Sequence, residues 1–197
     1  MLKNSQTQIQ KTAQILTQGF IDDPSFALIF GENANKFQAL NAFFELFVTD
    51  AMERGEIITA PEEQGACIWY PAEVEIFNEQ FEQILTEIIS TISDFCGWES
   101  GKRFEELIKK VGASEPEAPH CEVFFIALKP EARGKGIGES LLKPVLNYAD
   151  TKKFGCYLVS YNSRNISFYK RYGFQEFCPI QISDSYSMTG MWRDFVN

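Results

Sequence analysis

The segment "CEVFFIALKPEARGKGIGESLLKPVL", residues 121–146, restricts the fold more than any other part of this chain. Its near-continuous apolar start reads as a strand buried on both faces. Three glycines at alternate positions follow, Gly134, Gly136 and Gly138, and then a helical apolar repeat of Leu141, Leu142, Val145, Leu146 and Ala149. Glycines there let successive backbone amides face one point. The helix N-terminus adds unsatisfied N–H groups and partial positive charge, a combination suited to a phosphate anion. Strand, glycine turn and helix in one run indicate an α/β chain, with Pro144 expected to kink or loosen the helix.

Three glycine-loop chemistries compete for this anion. A Walker loop requires G-x-x-x-x-G-K-[ST], but Lys135 lies between glycines and no Gly-Lys-Ser/Thr follows. A dinucleotide fingerprint requires G-x-G-x-x-G and an acidic ribose partner about 20 residues on; here the spacing is G-x-G-x-G and the next strand reads Cys156-Tyr157-Leu158-Val159. An ATP or NAD site is therefore a poor fit. The third pattern, [Q/R]-x-x-G-x-[G/A], is matched by Arg133-Gly134-Lys135-Gly136-Ile137-Gly138, with Arg133 and Lys135 adding formal charge at the rim.

Downstream, N-x-x-N-x-x-F-Y-x-x-x-G-F is carried by Asn162, Asn165, Phe168, Tyr169, Gly173 and Phe174. With these two motifs joined, the chain resembles the GCN5-related N-acetyltransferase (GNAT) superfamily over roughly residues 120–177, and more loosely at "GFIDDPSF". The resemblance implies an α/β (α+β) fold: a mixed, mostly antiparallel sheet with a splayed parallel strand pair, flanked by helices. Acyl-CoA would lie in the splay, its pantetheine arm pairing with backbone like an added strand. Ile126, Ala127 and Leu128 would face the pantetheine, and Gly134, Gly136, Gly138 with the amides of Lys135 and Ile137 would hold the pyrophosphate. Asn162 would touch the CoA arm from the opposite wall, with Asn165 in the same motif, and the Leu128 N–H would face the oxyanion.

The same resemblance places Tyr169 where many members protonate the departing thiolate. A phenol of pKa about 10 can donate to a thiol of pKa about 8.5 as charge develops. The other reading of Tyr169 is a core aromatic, one of seven tyrosines. Two candidates stand for the base that an amine of pKa about 10 needs before attack. Glu122 lies six residues before Leu128, where histone-modifying members carry a glutamate, and strand alternation puts it on a face with Phe124, Ile126 and Leu128. His120, the sole histidine, shares that face and could act directly or through water. Either could equally be a polar residue at a strand's start. The glutamate often found after the leucine of the second parallel strand is here Val159.

Elsewhere, Ile9, Ala13, Leu16 and Phe20 mark an opening helix broken at "DDPSF". Because so few residues precede that helix, the sheet is expected to start at the family's second strand. A second helix is expected at roughly 36–54, with Phe37, Leu40, Phe44, Phe47 and Ala51 on one face, then a hairpin of "EIITA" and "ACIWY". Phe77, Phe81, Ile84, Ile88, Ile92 and Phe95 give residues 76–97 an apolar stripe that needs cover from the core or from a partner subunit. "RFEELIKKV" reads as a short helix and "GASEPEAP" as a loop. The last strands are read at "CYLVSY", "FQEFCPIQI" and "SYSMTGMW", with a helix at "SRNISFYKRY".

At 197 residues and 45% hydrophobic composition the chain is expected to form one domain, 1–197. A net charge of −9 argues against nucleic acid as partner. Five scattered cysteines without a Cys-x-x-Cys pair argue for free thiols, no metal site and a cytoplasmic setting. No signal peptide or membrane span is read. Family habit and the 76–97 stripe favour a homodimer. The function implied is transfer of an acyl group, expected to be acetyl from acetyl-CoA, to an amine. The acceptor could be polyamine-like, aminoglycoside-like, a peptide N-terminus or a lysine. The alternative is a catalytically weak acyl-CoA-binding sensor.

Overall fold

Residues 2–160 and 162–197 are described by a computed structural model. Three helices come first: α1 (Leu2–Phe20), α2 (Pro24–Phe30) and α3 (Lys36–Arg54). The proline that ends the opening helix also begins the next one. Pro24 sits at the first helical position, where its missing N–H costs nothing, and Asp23 caps α2 by accepting from the Ser25 N–H at 2.9 Å. From the sequence alone this segment reads only as a break.

The hairpin of β1 (Glu56–Thr59) and β2 (Gly65–Tyr70) follows, then α4 (Glu79–Cys96), α5 (Trp98–Gly112) and β3 (His120–Leu128). After the glycine loop come α6 (Gly138–Lys152), β4 (Gly155–Ser160), α7 (Ser163–Lys170), β5 (Gln175–Ser183) and β6 (Tyr186–Arg193). Tyr161, with which the expected strand ended, lies outside the described residues. The six strands form one sheet in the order β1-β2-β3-β4-β6-β5, antiparallel throughout except for β3 beside β4.

A core lies on each face of the sheet. Helices α1 to α5 cover one, with Phe43, Phe44 and Phe47 against Ala66, Ile68 and Tyr70. Helices α6 and α7 cover the other, with Leu141, Val145 and Tyr169 against Cys67, Val123 and Leu158. Phe43 alone packs its ring on Phe26, Phe44, Phe47, Phe104 and Phe125. Cutting such a side chain to alanine costs about 3–5 kcal/mol.

Three expectations change. Phe37 is exposed while Phe43 is buried, because α3 is wedged among α1, α4 and the sheet and buries a wider arc than one stripe. The apolar stripe of α4 is covered inside the chain by α3 and α5, through Phe81, Leu85, Ile88 and Ile92, so it gives no ground for a second copy. Phe77 precedes α4, and Phe95 is exposed. Helix α6 runs unbroken through Pro144, whose exposed position leaves the Ser140 carbonyl on the solvent side, where water can replace the lost N–H.

Buried charge ties α3 to β2. Asp50 accepts from Arg54 at 2.7 and 2.9 Å and from the Tyr70 hydroxyl at 2.5 Å. Among the described residues no helix is long and apolar enough to cross a membrane.

Candidate active site

The parallel pairing of β3 with β4 holds only from His120–Val123 against Gly155–Leu158. Its loss has a local cause on the other edge of β3. Val123 pairs with Trp69 and Phe125 with Ile68, so Phe124 has no partner on β2. This bulge bends β3 away from β4, whose Val159 and Ser160 stay paired with β6. From Phe124 onward the inner edge of β3 has no strand partner, and a cleft opens there.

The bulge also corrects the face assigned to Glu122. Cys121 and Val123 pack on the α6 side, as do Ile126 and Leu128, whereas Phe124, Phe125 and Ala127 pack on the α1–α5 side. One extra residue shifts the alternation, so Glu122 shares its face with Phe124 and Phe125 and not with Ile126 and Leu128. Ile126 still lines the cleft, while Ala127 and Leu128 are not among its lining residues.

The glycine loop begins with a single 3₁₀ turn at Pro130–Ala132, followed by extended Arg133. Gly134 and Gly136 both take φ +77°, the left-handed region, which turns successive amides outward. No side chain caps α6; the N–H groups of Glu139 and Ser140 turn back onto the Gly136 and Ile137 carbonyls at 3.3 and 2.9 Å, and the positive end of the helix faces the loop amides. Lys135 is exposed beside them. Arg133 is placed differently from the expectation: its guanidinium donates to the Gly19 carbonyl at 2.7 Å, tying the loop to the C-terminal end of α1.

Helix α7 forms the opposite wall. Asn162 caps it, its side-chain oxygen accepting from the Arg164 N–H at 2.9 Å. Asn165 is exposed at the cleft's edge, and Tyr169 lies buried along its wall. Burial raises the Tyr169 phenol above its ordinary value, and nearby Cys67 and Asp23 add to the rise. Its proton is therefore held at neutral pH, so Tyr169 enters the cleft as a donor.

Glu122 is 3% exposed and lines the cleft. Burial, then a hydrogen bond and charge from Glu115, raise its pKa well above the usual carboxylate range. Glu122 Oε2 and Glu115 Oε1 are both buried with no protein donor, so a proton on Glu122 shared with Glu115 satisfies the pair. His120 stands beside them, its Nδ1 2.8 Å from the Ala118 carbonyl and its ring against Tyr157 and Trp192. Ligand atoms of Glu115, His120 and Glu122 lie within 4.8 Å of one another, a donor set of metal-binding type among the described residues. The structure thus brings the two base candidates together. It adds Glu115, which the sequence reading placed in a loop, and Asp23, which it placed in a helix break. Burial raises the Asp23 carboxyl, and Ser25 hydrogen bonds partly offset the rise.

The family model described as "Acetyltransferase (GNAT) family" matches residues 60–174, more than half of the chain. The structure is similar to that of histone acetyltransferase HPA2 and related acetyltransferase from Corynebacterium glutamicum: TM-score 0.71, 21% identity, 98% of this chain and 93% of that chain covered. It is also similar to a Pyrococcus horikoshii protein, with TM-score 0.56, 9% identity, and 96% and 91% of the two chains covered.

Proposed function

The chain belongs to the acetyltransferase (GNAT) family, and on that premise we propose that residues 1–197 form a single acyltransferase domain that moves acetyl from acetyl-CoA to an amine. The observation that carries this reading is the cleft: a splayed parallel pair, with an uncapped helix behind a left-handed glycine turn at one end and Glu122 with Tyr169 inside.

In this mechanism the pyrophosphate rests on the amides around Gly134, Lys135, Gly136, Ile137 and Gly138. The pantetheine pairs with the free edge of β3 from Ile126 to Leu128, while Asn162 and Asn165 border its other side. Holding the nucleotide far from the reacting carbon fixes the thioester against the amine. As the ammonium docks, the proton that Glu122 shares with Glu115 leaves to solvent by way of His120, and Glu122, then a carboxylate, takes a proton from that ammonium. The amine nitrogen attacks the thioester carbon, the C–N bond forms, and the Leu128 N–H faces the oxyanion. As the C–S bond breaks, Tyr169 gives its proton to the sulfur and is restored by the second proton that the nitrogen sheds, leaving an amide and free CoA. The five unpaired cysteines support a reducing, cytoplasmic setting.

The test is Tyr169→Phe. Thiol release should fall about 10²- to 10⁴-fold, while calorimetry still shows acetyl-CoA bound as by wild type. Unchanged turnover would remove Tyr169 as the acid. Acetyl-CoA binding without thiol release for any amine would favour the sensor reading.

A further inference from the structure

We propose that the acceptor is a compact monoamine with an apolar body, an alkyl or aryl amine without a carboxylate, held in the cavity between the splayed strands and helices α1, α2, α3 and α5. This inference rests on the acyl-transfer reading and narrows it. The cavity holds about 950 Å³ of non-atom space, its open mouth included. Its walls are mostly side chains of the helical core, among them Phe20, Phe26, Phe43, Phe104 and Leu107. The titratable groups lining it are Asp23, Glu122 and Tyr169; no lysine, arginine or histidine joins them among the described residues.

Each feature excludes a class of acceptor. A substrate carboxylate would be buried with no cation to pair it, which disfavours amino acids and acidic peptides. A polyamine or aminoglycoside would set its further ammonium groups against phenylalanine rings, with only two carboxyls to share. A peptide would bring amides that need partners, and the wall offers few: the Ser25 hydroxyl is already bonded to the Tyr186 hydroxyl at 2.6 Å. An apolar amine asks only for a carboxyl at its charged end and dry walls for the rest, and the lining offers two such carboxyls, Asp23 and Glu122. Acetylation turns its ammonium into a neutral amide: the nitrogen loses one proton to Glu122 and a second that replaces the one Tyr169 gives to the sulfur. The product has no charge left for those carboxyls to hold.

The experiment measures thiol release from acetyl-CoA with 2-phenylethylamine, hexylamine, phenylalanine, spermidine and a short peptide with a free N-terminus. The two apolar amines should exceed the other three in kcat/KM by about 100-fold, the scale of one uncompensated buried charge. Leu107→Lys, which puts a cation in the wall, should narrow the gap between 2-phenylethylamine and phenylalanine. Its melting temperature and acetyl-CoA affinity report whether it folds. Preference for spermidine or the peptide overturns the acceptor class and leaves acyl transfer standing. If no amine releases thiol, acyl transfer fails, and calorimetric titration of 2-phenylethylamine into the CoA-bound protein decides the cavity separately. Saturable binding there supports its chemistry, and none overturns it.

Discussion

Replacing Gly136 turns the glycine loop into a measurable quantity. Its φ is +77°, and no heavy atom lies within 4 Å of where a Cβ would stand. Alanine there meets no clash, only the left-handed backbone penalty of about 1–2 kcal/mol. If the loop keeps its shape, the melting temperature falls by about 2–8 °C, at about 2–4 °C per kcal/mol for a chain of this size. If the loop relaxes, the melting temperature is spared and the same energy is seen as about 5- to 30-fold weaker acetyl-CoA binding. The two readouts share one source, so their combined effect is bounded.

Gly136→Asp adds a charge to that strain. A carboxylate about 4 Å from a phosphate charge repels it by about 4 kcal/mol at an effective dielectric of about 20. Water around an exposed loop reduces this to roughly 1–2 kcal/mol, a further 5- to 30-fold loss of affinity. Thermal melting and calorimetry on wild type, Gly136→Ala and Gly136→Asp read all of these terms. If the three proteins melt within about 1 °C and bind acetyl-CoA within about twofold, the loop is not the pyrophosphate site and the argument from its geometry is refuted.

Glu122→Gln should lower thiol release by about 10²- to 10⁴-fold while acetyl-CoA binding is kept. Its stability effect has a defined sign, because the folded protein holds the Glu122 proton more tightly than the unfolded chain does. Below the ordinary carboxyl range both states are protonated; above it only the unfolded chain ionises, so wild type loses stability relative to the variant as pH rises from about 4. A melting-temperature difference that stays flat from about pH 4 to pH 8 would contradict the buried, protonated carboxyl. Asp50→Ala strands the nearly buried Arg54 charge and the Tyr70 hydroxyl, at a cost of about 3–5 kcal/mol. Chemical denaturation should show that loss, and a change under about 1 kcal/mol would mean the network is solvated.

Legibility in the sequence followed the range of the forces involved. Helix α3 was legible in outline because the apolar spacing of Leu40, Phe44, Phe47 and Ala51 is local, although Phe37, counted on the same face, is exposed. The glycine loop was readable because backbone conformation restricts residue type at Gly134 and Gly136. Arg133 was misplaced because its partner, the Gly19 carbonyl, lies 114 residues away in the chain. Glu115 carried no periodic signal at all; it becomes notable only where folding sets it against Glu122. The face of Glu122 failed for a sharper reason. Period-two reasoning assumes an uninterrupted ladder, and nothing in "EVFFIAL" announces that one phenylalanine will be skipped.

That skipped residue makes the cleft vulnerable to one kind of mutation in particular. If the codon for Phe124 were deleted in frame, Val123 would still oppose Trp69 and Phe125 would still oppose Ile68. Every remaining side chain of β3 would keep its present face, and the α1–α5 core would lose one ring, that of Phe124 against Phe47, Tyr70 and Phe81. Only the bend that separates β3 from β4 would go, and the parallel pair could zip shut along its length. Such a lineage would exchange the ligand cleft for a continuous sheet at the cost of one packed ring, three nucleotides away.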